Sequence, residues 1–261
     1  MRSMLEAAPA PALRGRVSAY YGFSSEAAGP VHRQEGPGIH VLLLISFGEE
    51  WLVDGERRES FVAGLYRRQV TTVQCGRAFG MQVNLVPQAA YSLLREPLHR
   101  LAGQTAPLED VFDGGLAQRL HDRPSWPERF ALLDEELSKR FGAAVPASTG
   151  VAWAWQQLVH TGGRARVGDL AEELGWSKKR IAARFREQIG LTPKAAARLI
   201  RFERARATAE RAERPDWARI AVDCGYYDQS HLINDFRAVT GRSPETFFQD
   251  VSGTRGLASA A

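Results

Sequence analysis

Cysteine is scarce, with two residues, Cys75 and Cys224, in a chain of 261. So few thiols exclude a disulfide scaffold and a zinc site made of four thiolates. Long apolar runs are also missing. The longest aliphatic stretch runs from Val41 to Ile45, far short of the roughly 20 residues a membrane helix needs. A secretory leader is not expected, because Glu6 and a Pro-Ala stretch stand where its apolar segment would be, between Arg2 and Arg14. What is present, 44% apolar and 25% charged residues, suits a soluble globular protein. At about 150 residues per domain the length predicts one large or two modest domains. The expectation is a soluble, cytoplasmic, two-domain protein without membrane contact.

Charge is unevenly spread. The whole chain carries +4, but from residue 151 onward 18 Lys and Arg face 13 Asp and Glu, whereas the preceding part has 16 against 17. Within residues 176–206 ten basic side chains face only Glu187 and Glu203. A focus of this kind attracts polyanions, nucleic acid first. A solvated helix face with incidental charge is the competing reading.

The basic segment lies inside a repeat. Ile181, Phe185, Arg186, Gly190, Thr192 and Pro193 recur 51 residues later as Leu232, Phe236, Arg237, Gly241, Ser243 and Pro244. Upstream, Leu170, Ala171 and Gly175 recur 50 residues later as Ile220, Ala221 and Gly225. Two copies are too few for a solenoid and point to a duplicated small module. Each copy predicts a helix stopped by glycine and a second helix capped by Ser177 or Asp228. Ile181 and Phe185, or Leu232 and Phe236, would be buried at i, i+4, leaving a polar outer face. That is the pattern of a helix-turn-helix. Thr192-Pro193 caps an unbroken helix to about residue 211. Its length of about 28 Å approaches one turn of B-DNA, about 34 Å. Leu199, Phe202 and Ala205 would pack this linker on the modules.

These residues resemble a known family. The run from Leu170 to Ser177, Gly190-Leu191-Thr192-Pro193-Lys194, and the run from Gly225 through Asp228-Gln229-Ser230-His231 to Leu232 resemble the AraC/XylS bacterial transcription regulators over roughly residues 150–250. The resemblance implies a seven-helix DNA-binding domain whose two helix-turn-helix units each place their second helix in the major groove. Ala183 and Asn234 depart from it, standing where many members carry Arg. From helix chemistry, Arg180 and Arg184 are expected to read guanine edges, and Gln229, His231 and Asn234 to act as readers in the second copy, where Gln and Asn suit adenine. Ser230 shares that polar face. Lys178, Lys179, Arg198, Arg201 and Arg237 are expected on phosphates.

The fold expected is α+β: residues 1–86 a β-rich sensor, 87–145 a helical region packing on it and able to dimerise, and 146–261 the DNA-binding domain with units at about 167–187 and 217–239. Segments 41–47, 50–53, 61–65, 70–73 and 80–86 read as strands, with Gly48-Glu49 and Asp54-Gly55 as turns. They predict a small antiparallel barrel or sandwich, and the family resemblance implies that it is cupin-like. Helices are expected near 89–94, 97–102, 116–121, 126–141 and 151–160, with a linker at 143–150.

Trp51, Phe61, Tyr66 and Phe79 are candidates to line an effector pocket, with ordinary core packing as the alternative. His32, Glu35 and His40 do not have the His-x-His spacing of catalytic cupins, so neither metal nor cofactor is expected. Cys75 lacks an evident activator, and Cys224 aligns with Leu174 as a core residue. The partners expected are duplex DNA, a small-molecule effector and RNA polymerase, for a monomer or a homodimer, in a non-enzymatic regulator. Two alternatives stand beside this: a ligand-independent regulator with a structural barrel, and a DNA-repair-type enzyme carrying a DNA-binding module.

Overall fold

A computed structural model describes residues 2–48, 50–74, 76–112 and 115–251. Cys75 and the second residue of the expected Gly48-Glu49 turn lie outside the described residues. The N-terminal part begins with β1 (Arg2–Ala7), β2 (Val17–Glu26), β3 (Val31–Glu35), β4 (Val41–Ser46) and β5 (Trp51–Val53). It continues with β6 (Glu56–Arg58), β7 (Phe61–Ala63), β8 (Val70–Gln74), β9 (Arg77–Leu85) and α1 (Pro87–Leu94). Then follow β10 (Thr105–Pro107), α2 (Leu116–His121) and α3 (Trp126–Gly142).

Two antiparallel sheets result, one ordered β1-β2-β9-β4-β7-β10 and the other β3-β8-β5-β6. They do not close into a barrel, and a cupin-like jelly roll describes them. Strand β10 pairs with β7, opposing Ala106 to Val62, so this sheet draws its last strand from the region expected to be helical. Asp54 and Gly55 join β5 to β6 with φ of 49° and 86°, the positive pair a two-residue hairpin turn requires.

The centre of the larger sheet is buried on both faces, which accounts for the unbroken apolar run of β4. Val41, Leu43 and Ile45 pack beneath α1–α3, while Leu42 and Leu44 face the second sheet with Phe23, Trp51 and Phe61. Alternation by two assigns these opposite directions. At Gly22 a Cβ would stand 2.5 Å from the Trp126 ring, so glycine is what lets α3 seat that indole on the sheet.

The C-terminal part holds α4 (Thr149–His160), α5 (Val167–Glu173), α6 (Lys178–Gln188), α7 (Pro193–Glu210), α8 (Trp217–Asp223), α9 (Gln229–Thr240) and α10 (Pro244–Val251). The two modules end their first helices identically. Gly175 and Gly225 adopt φ of 61° and 79°, the left-handed conformation glycine takes without penalty. Gly175 N–H donates to Glu172 and Trp176 N–H to Ala171, as Gly225 N–H does to Val222 and Tyr226 N–H to Ala221. Both are Schellman closures. Ser177 and Asp228 then cap α6 and α9, accepting from Arg180 N–H and His231 N–H, and Thr192 caps α7.

The two modules are embedded differently. The apolar core of the first, with Ile181, Phe185 and Leu191, is continuous with that of the N-terminal part. The second has a separate core around Phe202, Trp217, Leu232 and Phe236. Helix α7 serves both, giving Ala196, Leu199 and Ile200 to the first and Phe202, Ala205 and Ala209 to the second. Segment 143–148 is held to both sides, since Ala147 N–H donates to Ser92 and Ser148 N–H to Gln188 Oε1 at 2.9 Å.

Candidate nucleic-acid interface and sheet cavity

On α6, Ile181 and Phe185 are fully buried, and this fixes what the opposite face presents. Lys178, Lys179, Arg180 and Arg184 are exposed there. Arg180 lies over the Trp176 ring at 4.8 Å, so the turn residue braces a guanidinium beside the helix start. Arg184 pairs with Glu187 at 2.9 Å. Glu187 also accepts from the hydroxyl of Tyr91 on α1 at 3.1 Å. The N-terminal part therefore reaches the C-terminal end of α6 directly. Glu187 and Tyr91 escaped sequence reasoning, because 96 residues separate them.

Helix α9 repeats the arrangement with milder chemistry. Leu232 and Phe236 are buried, while Gln229, Ser230, His231, Asn234 and Arg237 are exposed. Tyr227, just ahead of the helix, is 91% exposed.

Two half-buried cations of α7 have partners within the protein. Arg198, expected on phosphate, pairs through Nε with Asp235 at 2.8 Å, and Asp235 is buried. Arg201, also expected on phosphate, donates to the Gly163 carbonyl at 2.7 Å and lies over the Tyr226 ring. Both side chains are used to fasten the linker helix to the modules. The partners come from elements distant in sequence, so charge counting along the chain does not show these engagements. Arg206 is likewise held, by Glu203 at 3.0 Å and Glu210 at 2.5 Å. Burial works against its charge, but the two carboxylates outweigh it and raise its pKa. The i, i+3 and i, i+4 spacings of these residues on one helix are the signal that could have found the pairing.

Between the two sheets lies a cavity of about 240 Å³. Leu42, Leu44 and Phe61 form one wall, and Trp51, Val53 and Val70 the other. Its polar lining includes His40, Thr72 and the pair Gln82–Asn84, joined by a 2.9 Å hydrogen bond. Glu203, Arg206 and Glu210 of α7 and Phe247 of α10 complete the lining, so the DNA-binding part contributes to it directly. Of the aromatics expected at a pocket, Trp51, Phe61 and Tyr66 line this one. Phe79 does not. It lies on the opposite face of β9 from Gln82, packed at 5.5 Å against Trp126 and below the Arg129 guanidinium. Strand parity decides the matter: two even positions of β9, Gln82 and Asn84, face the cavity, and an odd one turns away. His40 accepts or donates a 2.8 Å hydrogen bond with Ser18, and burial lowers its pKa to about 4, so it is neutral near pH 7. Among the described residues no cluster of His, Cys, Asp or Glu is placed to hold a metal ion, and no helix is long and apolar enough to cross a membrane.

Paired helix-turn-helix units with exposed polar second helices define a DNA-binding domain class. Comparison with known proteins narrows it. A helix-turn-helix domain family matches residues 170–250. Two crystal structures of ToxT from Vibrio cholerae strain SCE256 have the same overall fold. An apo point variant is 11% identical with a TM-score of 0.50, covering 88% of this chain and 97% of that one. Wild-type ToxT bound to an unsaturated fatty acid is 11% identical with a TM-score of 0.50, covering 92% and 99%. No curated protein matches the sequence.

Proposed function

We propose that the chain is a sequence-specific transcription regulator of bacterial type that grips duplex DNA with α6 and α9 and answers to a small molecule in the sheet cavity. The observation that carries the DNA-binding half is the duplication itself: two modules with the same caps and closures, each offering an exposed polar face, on one continuous linker helix. Helix α7, with 18 residues, spans about 27 Å, close to the separation of successive major grooves.

Arg180 and Arg184 are assigned to guanine edges and Gln229, His231 and Asn234 to the second groove, with Ser230 beside them. Lys178, Lys179 and Arg237 are assigned to phosphates. Arg198 and Arg201 are left out of this set, since both are engaged within the protein. The effector half rests on the cavity being lined from both parts of the chain, so an occupant touches sensor and DNA-binding domain at once. ToxT with its bound fatty acid is a fold relative that holds a small molecule. The same reading places the chain in the cytoplasm, as a binding protein rather than an enzyme.

Selection of bound duplexes from random DNA by the full chain tests it. Recovered sites with two preferred blocks about one helical turn apart are expected. Recovery of a single block, or no enrichment, would reject engagement by both modules.

A further inference from the structure

Three features of the cavity, none used by the DNA-binding face, bear on what it holds. The first is its size, about 240 Å³, just under the range of about 300–1,000 Å³ usual for ligand pockets. A compact molecule fits. The second is the Trp51 indole. Trp51 is 2% exposed, and its Nε1–H has no hydrogen-bond partner among the described residues. Buried donors are nearly always partnered, and this one lies in the lining of an otherwise apolar wall.

The third is charge. Among the described residues that line the cavity, helix α7 supplies two carboxylates, Glu203 and Glu210, around one guanidinium, Arg206. His40 contributes no charge, because burial keeps it neutral. Arg206 is itself held by both of those carboxylates. An anionic ligand would enter a lining with excess negative charge and would have to displace a carboxylate to reach the guanidinium. Desolvated like charges repel strongly at such distances.

We propose that the cavity takes a compact, largely apolar molecule that carries no carboxylate and offers a hydrogen-bond acceptor to the Trp51 indole. The inference rests on the effector reading above and narrows it to a ligand class. It also sets this chain apart from ToxT, whose crystallised ligand is a fatty acid.

Calorimetric titration of the full chain with methyl naphthoate and with the free naphthoate anion tests the assignment. The ester is expected to bind at least about 10-fold more tightly than the anion, and Trp51→Phe to weaken the ester by about 10-fold through loss of one hydrogen bond. The double variant Glu203→Gln with Glu210→Gln, which leaves Arg206 uncompensated, is expected to raise anion affinity toward that of the ester. Equal or tighter anion binding by the wild-type chain, ester binding indifferent to Trp51→Phe, or no binding of either compound would overturn the proposal. Each variant is melted first, and only chains that unfold cooperatively are titrated; if Trp51→Phe fails that criterion, the comparison of ester and anion on the wild type decides. DNA retention by the same preparations separates the outcomes: a chain that still binds its duplex but rejects the ester loses the ligand assignment and keeps the regulator reading.

Discussion

The two helix-turn-helix modules are nearly the same object locally and quite different objects in the fold. Their glycine closures and helix caps coincide bond for bond. Yet the first shares its apolar core with the N-terminal part, whereas the second has a core of its own. The second meets the β-domain through fewer elements, among them the backbone bond from Gln69 N–H to Val239 O at 3.0 Å and the cavity lining at Phe247. Local sequence dictates the module, and embedding dictates how it responds. The first exposes Lys178, Lys179, Arg180 and Arg184 on its outer helix, and the second exposes the milder set Gln229, Ser230, His231, Asn234 and Arg237.

The largest effect expected comes from emptying each core in turn. Phe185→Ala and Phe236→Ala should each cost about 3–5 kcal/mol. Phe185→Ala should loosen the sensor as well, because both share one core. Phe236→Ala should spare it. Hydrogen exchange read in the strands distinguishes them, and equal loss of strand protection in both variants would erase the contrast.

Next is Arg198→Ala, which strands the buried carboxylate of Asp235. A loss of about 2 kcal/mol in stability is expected, below the 3–5 of a fully buried pair because the Arg198 side chain is 36% exposed. The salt dependence of DNA binding should not change. A slope flattened by about one, the mark of a lost phosphate contact, would return Arg198 to the DNA surface.

Acid should act on the sensor through His40. Its folded pKa is about 4 and lies below its ordinary value, so the unfolded chain binds the proton more readily. The stability contribution is full above about pH 6.5 and is lost as pH falls toward 4. By pH 5 the loss is about 2 kcal/mol, and His40→Gln should remove it. Urea melts of both chains at pH 7 and pH 5 measure this. Because the first module shares the sensor core, it should weaken with the sensor.

Smallest are the surface contacts. Arg184→Ala should cost about 1–3 kcal/mol at one base position and relax preference there. Lys179→Ala should weaken every sequence alike by less than that and flatten the salt slope. Unchanged base preference in Arg184→Ala, seen in repeat selections, would remove that side chain from base reading.

What was legible in the sequence was local. Ser177, Thr192 and Asp228 cap the helices they were expected to cap, since a cap needs only the residues around it. The separation of an N-terminal β-rich part from a C-terminal helical one was legible for the same reason. Strands β1 and β2 were not foreseen. The first is an almost wholly exposed edge strand, held by backbone pairing with β2, and so has no apolar period. The second is buried without a break from Ala19 to Phe23 and does not alternate there. Phe79 turned away from the cavity because strand parity, not residue type, assigns a face. The roles of Arg198 and Arg201 depended on Asp235, Tyr226 and Gly163, brought near only by the tertiary fold.

A footprint of the full chain on a selected duplex tests the central claim most directly, that both modules engage DNA with separable roles. Protection of two successive major grooves on one face is predicted for the wild type. Gln229→Ala combined with Asn234→Ala should erase the half beneath α9 alone and leave the half beneath α6. Protection of a single groove by the wild type, or collapse of both halves in the double variant while its fold is intact, would contradict the account.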